Sequence, residues 1–170
     1  SNKILAGVDE VGRGCLAGPV ISCALILKKN INKKFLRDSK TIAFKDRIEI
    51  AKHIKKNSWY AIGSASVDEI DKYNIFNATL LSMERAVKKL KKKPHLFLID
   101  GTHAPKKLKN SKTIIKGDQK IKCISAASIV AKAYRDLYMI KLGNKFPEYK
   151  WNKNFGYGTW QHLGALKKFG

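Results

Sequence analysis

Five short apolar runs alternate with longer amphipathic stretches, and this alternation limits the possible folds more than any other feature. Residues 3–8, 19–27, 59–67, 95–100 and 113–116 are rich in apolar and β-branched side chains and read as strands. In the third run Ala61, Ala65 and Val67 would share one face, with Ser64 and Ser66 on the other. Residues 44–56 carry Phe44, Ile48, Ala51 and Ile54 at helical spacing. Asn74 is placed to cap a helix over 75–90, where Leu80, Met83 and Val87 form one stripe before Lys93-Pro94 ends it. A largely buried helix is expected over 124–142 and a short one over 159–169. Strands interleaved with helices predict an α/β fold whose mixed sheet is covered on both faces. A length of 170 residues suits one domain, 1–170.

Two of these strands end in acids with glycine close behind, in "LAGVDEVGRG" and "LFLIDG". A further acid, Asp118, follows Gly117 just after the "TIIK" run. Functional groups in α/β sheets collect at strand ends, where loops converge. A carboxylate at the tip of an apolar run is costly unless it is paired or binds a cation. Taken singly, each acid suits a helix cap or a turn beside glycine. Four of them, Asp9, Glu10, Asp100 and Asp118, point instead to hard divalent cations, which relieve the repulsion among clustered carboxylates.

The acids stand out because they are scarce: 35 Lys and Arg face 13 Asp and Glu, a net charge of +22. So positive a field attracts polyanions, nucleic acid foremost. Only five of the basic residues are Arg, and Ile and Asn are abundant, which also suits the codon bias of an AT-rich genome. The charge alone therefore names no chemistry. Joined to the acids it does, because two Mg²⁺ or Mn²⁺ ions about 4 Å apart can activate water and stabilise the leaving oxygen of a phosphodiester. Four histidines (His53, His95, His103, His162) disfavour an imidazole general base, and no Ser-His-Asp pattern, P-loop or G-x-G-x-x-G stands out. A basic surface around an acidic metal centre reads as a nuclease.

Other classes recede. The apolar runs are too short to span a bilayer, and the first residues lead straight into a strand rather than a signal peptide. Three cysteines without C-x-x-C spacing support neither a disulfide framework nor a zinc site, so a cytoplasmic location is expected.

The segment "GVDEVGRGCLAGPV" resembles the opening signature of ribonuclease HII, the type 2 ribonuclease H family. The likeness continues through "LRDSKTI", "NIFNATLLSMERAV", "LIDG", "KGDQKIKCISAASIVAKAYRD" and "GYGTWQHLGAL", in the family's order. It implies a ribonuclease H-like fold, a mixed five-stranded sheet flanked by helices. It also implies an endonuclease acting, as a monomer, on RNA–DNA hybrids and on duplex DNA holding single ribonucleotides. Asp9, Glu10, Asp100 and Asp118 match the family's catalytic carboxylates, with Mn²⁺ or Mg²⁺ as cofactor. Gly12, Arg13 and Gly14 match the motif whose backbone reads a ribose 2′-hydroxyl, and Tyr157 the tyrosine that stacks on the following deoxyribose. Ser39, Lys40 and Thr79 match positions near backbone phosphates. Arg135-Asp136 reads as structural charge at the edge of the buried helix. Val11 stands where Ala is usual, and Cys15 where Pro is common. The chain ends ahead of a His-Arg-Ser-Phe-like stretch that many members carry, which bears on substrate grip.

Two alternatives stay open. Ribonuclease HIII shares the domain but usually adds an N-terminal substrate-binding domain and has a different final carboxylate pattern. A non-catalytic basic nucleic-acid-binding protein would explain the charge and leave the strand-end acids unexplained.

Overall fold

A computed structural model describes residues 2–36 and 41–170. Its centre is a five-stranded sheet in the order β3-β2-β1-β4-β5, with β1 Leu5–Val11, β2 Val20–Leu27, β3 Ser58–Ala65, β4 Leu96–Asp100 and β5 Ser111–Ile114. The first three strands form an antiparallel meander. β4 and β5 add in parallel, β4 beside β1. The helices are α1 Lys33–Leu36, α2 Phe44–Lys56, α3 Val67–Lys89, α4 Gly117–Lys120, α5 Lys122–Lys145, α6 Trp151–Asn154 and α7 Trp160–Phe169.

Both faces of the sheet are covered, as its continuous apolar strands require. On one face Cys23 and Leu25 of β2 pack against Ala51 and Ile54 of α2 and Ala126, Ile129 and Val130 of α5. On the other, Ala6, Val8, Ala24 and Ile99 meet Met83, Ala86 and Leu90 from the α3 side. α5 can lie close to β1 because its sheet-facing residues are mostly small and because Gly7 faces it. A Cβ on Gly7 would collide with the backbone of Cys123 and Ile124. Burial of a side chain such as Ile124, fully enclosed here, contributes about 1.5–3 kcal/mol.

The structure corrects several boundaries. The third strand ends at Ala65, and Ser66 caps a helix instead of extending it. The Ser66 hydroxyl accepts the Glu69 N–H at 3.2 Å while Glu69 Oε1 accepts the Ser66 N–H at 3.1 Å, a reciprocal cap. Val67 therefore opens α3 and is exposed. Asn74 breaks that helix at φ 71°, and its Oδ1 accepts the Asn77 N–H at 2.9 Å, capping the second segment as expected. β5 lies two residues earlier than expected, so Asp118 belongs to the single turn of α4 rather than to a strand end. Arg135 and Asp136 are wholly buried, not at an edge. Among the described residues, no helix is long and apolar enough to cross a membrane.

Candidate active site

Pairing between β1 and β4 runs from Leu5–Leu96 to Val8–Ile99 and stops there. Past that point β1 continues beside β2, with Asp9 opposite Cys23 and Glu10 opposite Ser22. Asp100 continues beside β5, opposite Ile114. The parting strands leave a crevice at their carboxyl ends, the usual place for a site in such a sheet. Asp9, Glu10, Asp100 and Asp118 all line this one pocket.

The carboxylates are held by local backbone. Asp9 Oδ1 accepts the Glu10 N–H at 2.8 Å, and Asp100 Oδ1 accepts the Asp118 N–H at 3.3 Å. Burial pushes the Asp9 carboxyl well above its usual range, and the charges of Glu10 and Asp100 push it the same way. Glu10 is also raised, by burial first and by Asp100. Arg13 Nη1 lies 3.9 Å from Glu10 Oε1 and opposes that shift.

Among the described residues, no three His, Cys, Asp or Glu side chains stand ready as a group that could hold a metal ion. The donor set nonetheless fits a hard divalent cation. It is all carboxylate oxygen, and Glu10 Oε2 is buried with no hydrogen-bond partner among the described residues. Such a buried acceptor costs about 1–3 kcal/mol until something satisfies it.

Of the expected reading groups, all but Gly14 border the same pocket. Gly12 and Arg13 line it, as does Tyr157. Gly12 has φ +102°, a conformation open to glycine, and its carbonyl accepts the Cys15 N–H at 3.4 Å to close the turn. Space beside Gly14 is open. The Tyr157 ring lies 5.7 Å from Lys132 Nζ, and burial pushes its hydroxyl up to about 12. Thr79 is buried on α3, its hydroxyl donating to the Ile75 carbonyl at 2.7 Å, and does not line the pocket. Ser39 and Lys40 lie outside the described residues.

Ser128 and Lys132 of α5 also line the pocket, and sequence reading missed both. Ser128 opposes the upward push on the Asp9 carboxyl, and Lys132 Nζ lies 3.3 Å from Asp136 Oδ1. Their signal was an i,i+4 polar pair in the mostly apolar stretch 123–133 of that helix.

The sheet order and its two helical layers are those of the ribonuclease H-like fold. Ribonuclease H2 from Pyrococcus horikoshii OT3 matches with a TM-score of 0.83 at 25% identity, over 97% of this chain and 86% of that one. Bst-RNase HIII, solved in complex with Mn²⁺, gives 0.70 at 14% identity, over 98% and 70%, a likeness of fold alone. In sequence, the Ribonuclease HII family profile matches residues 6–170. Ribonuclease HII of Pelagibacter ubique (strain HTCC1062) is 58% identical over 99% of this chain and 91% of that protein. Ribonuclease HII of Macrococcus caseolyticus (strain JCSC5402) is 46% identical over all of this chain, which spans 64% of that protein's length. The chain belongs to the ribonuclease HII family, metal-dependent endonucleases of the ribonuclease H type. That sets the two alternatives aside.

Proposed function

We propose that the chain hydrolyses the RNA strand of RNA–DNA hybrids and also cuts 5′ to single ribonucleotides embedded in duplex DNA, leaving a 3′-hydroxyl and a 5′-phosphate. The observation that carries this reading is one pocket lined by four carboxylates together with Gly12, Arg13 and Tyr157, in a chain of net charge +22. Asp9, Glu10, Asp100 and Asp118 would hold Mn²⁺ or Mg²⁺, two ions during catalysis. The Mn²⁺ complex of Bst-RNase HIII supports divalent-metal use. When bound, such cations lower the pKa of water and neutralise charge on a phosphodiester.

The chain's own residues supply selection and alignment. The Gly12–Gly14 backbone accepts and donates to the 2′-hydroxyl of one ribonucleotide, the group that distinguishes RNA from DNA. That grip sets the phosphate 5′ to it over the carboxylates. Tyr157 stacks on the next sugar, which lies flat against the ring only without a 2′-hydroxyl. Lysines on the surface hold the flanking phosphates, and Ser39 and Lys40 add contacts to the backbone phosphates. A phosphate contact by Thr79 requires its hydroxyl to leave the Ile75 carbonyl. The protein acts as a monomer built from one domain, in the cytoplasm, and serves removal of ribonucleotides from DNA.

The test is cleavage of three duplexes of one sequence: an RNA–DNA hybrid, DNA with one ribonucleotide, and all DNA. Each is incubated with Mn²⁺, with Mg²⁺ and with EDTA. Cation-dependent cutting of the first two at the stated bond supports the reading. An intact single-ribonucleotide duplex removes its junction part, and cutting in EDTA removes the metal.

A further inference from the structure

Among the described residues Arg135 is the largest fully buried side chain, and the mechanism above gives it no role. Its guanidinium donates to three backbone carbonyls. Nε reaches Pro19 O at 3.0 Å, Nη2 reaches Ala17 O at 2.8 Å, and Nη1 reaches Phe155 O at 2.6 Å. Two of these belong to the loop that follows Gly12–Gly14, and the third lies two residues before Tyr157. The guanidinium carbon also sits 6.0 Å from the centre of the Tyr157 ring, within cation–π range.

The two loops touch directly as well. Leu16 and Ala17 N–H groups donate to Gly156 O at 2.8 and 3.3 Å. Gly12 is packed so closely over Arg135 that a Cβ there would meet Nε at 2.6 Å. On the far side, Trp151 Nε1 donates to His162 Nε2 at 3.1 Å, leaving His162 Nδ1 to donate to Tyr157 O at 2.8 Å. A planar guanidinium can serve three divergent carbonyls at once, whereas a lysine ammonium is a compact point charge.

We propose that Arg135 is a positioning residue. It fixes the distance between the sugar-reading loop and the Tyr157 ring, and so sets the preference for a ribonucleotide–deoxyribonucleotide junction over a continuous hybrid. This rests on the junction reading above. The carboxylates are carried by β1, β4 and α4, so loosening the clamp leaves them in place. A role in stability alone would lower cleavage of both substrates equally, through the folded fraction.

The experiment compares wild type with R135K. Single-turnover cleavage is measured on the hybrid and on the single-ribonucleotide duplex in Mn²⁺, and hydrogen exchange is measured on the protein alone. Exchange at the Leu16 and Ala17 amides should quicken while the β2 core amides keep their protection. Junction cleavage should fall about tenfold further than hybrid cleavage, as expected when a positioning contact slips. Equal losses on both substrates, or unchanged exchange at Leu16 and Ala17, overturn the proposal. G156A strains the same contact from the opposite side, since Gly156 has φ +89° and a Cβ there would collide with Ala17 O. It decides the matter if R135K fails to fold. Should wild type leave the junction uncut, the junction reading fails, and the exchange result alone decides whether Arg135 joins the loops.

Discussion

The Asp118 backbone N–H donates to Asp100 Oδ1 across 3.3 Å, so one acid at a strand end fixes the turn that carries another. Asp100→Asn keeps that oxygen as an acceptor and removes only the charge. Its thermal melt should stay close to wild type, while cleavage of the hybrid falls about a hundredfold or more, the scale of losing a key electrostatic group. Near-normal cleavage would take Asp100 out of the catalytic set.

Asp9 is buried, Glu10 beside it is half-buried, and both are raised above the ordinary carboxylate range. Folding with these acids charged is unfavourable, so each costs stability at neutral pH, from the ordinary carboxylate range upward. A divalent cation that binds only the folded pocket should offset this, by about 2.7 kcal/mol at a hundred times its Kd. Asp9→Asn keeps Oδ1 as an acceptor for the Glu10 N–H. It should melt higher than wild type without cation and gain little from Mn²⁺. A wild-type melting temperature unmoved by millimolar Mn²⁺ would contradict the metal site.

Glu69 accepts from Arg85 Nη1 and Nη2, each at 2.6 Å, and this pairing lowers its carboxyl from the usual 4.5 to about 2. A depressed acid stabilises the fold above its ordinary value, and that contribution is lost as pH falls toward the folded value. Glu69→Gln retains the reciprocal cap on Ser66 but not the charge. The variant should melt below wild type at neutral pH, and the gap should shrink only below pH 4.5. A gap constant with pH would mean that shape, not charge, carries the contact.

The strands were legible as apolar runs, and Asp9, Glu10 and Asp100 stood out at the ends of two of them, whereas the fold alone brings Asp118 to the same pocket from α4. The start of α3 was not legible, since Val67 continues the alternation of the strand before it, and "DEIDK" reads as solvated charge until Glu69 is seen to close a cap on Ser66. Ser128, Lys132 and Arg135 were hidden for another reason. Residues 123–133 of α5 are buried or half-buried throughout, so periodicity marks no outward face until Tyr134, Leu137 and Tyr138. What gives each polar residue its use lies far along the chain: Ala17 is 118 residues from Arg135. Spacing within one element cannot report a partner brought up by the fold.

The charge of +22 has its own test. If lysines hold the duplex through phosphates, log affinity should fall linearly with log salt, by about 0.9 per contact. Filter binding in EDTA measures this without cleavage. A flat response would leave the charge to codon bias.

Tyr157 gives the most selective prediction. Its ring borders the carboxylate pocket, with Lys132 Nζ over it at 5.7 Å and the Arg135 guanidinium carbon at 6.0 Å. Stacking of a sugar on the ring from the pocket side would add a contact that only a deoxyribose makes fully. Tyr157→Ala should therefore lose about tenfold or more on the single-ribonucleotide duplex, the cost of about 1.4 kcal/mol of lost alignment, and distinctly less on a continuous hybrid. Tyr157→Phe keeps the ring and should restore most of the junction rate, because the hydroxyl is not what stacks. Equal losses on both substrates for Tyr157→Ala would mean that the ring only packs against Lys132 and Arg135, and that the junction is read elsewhere.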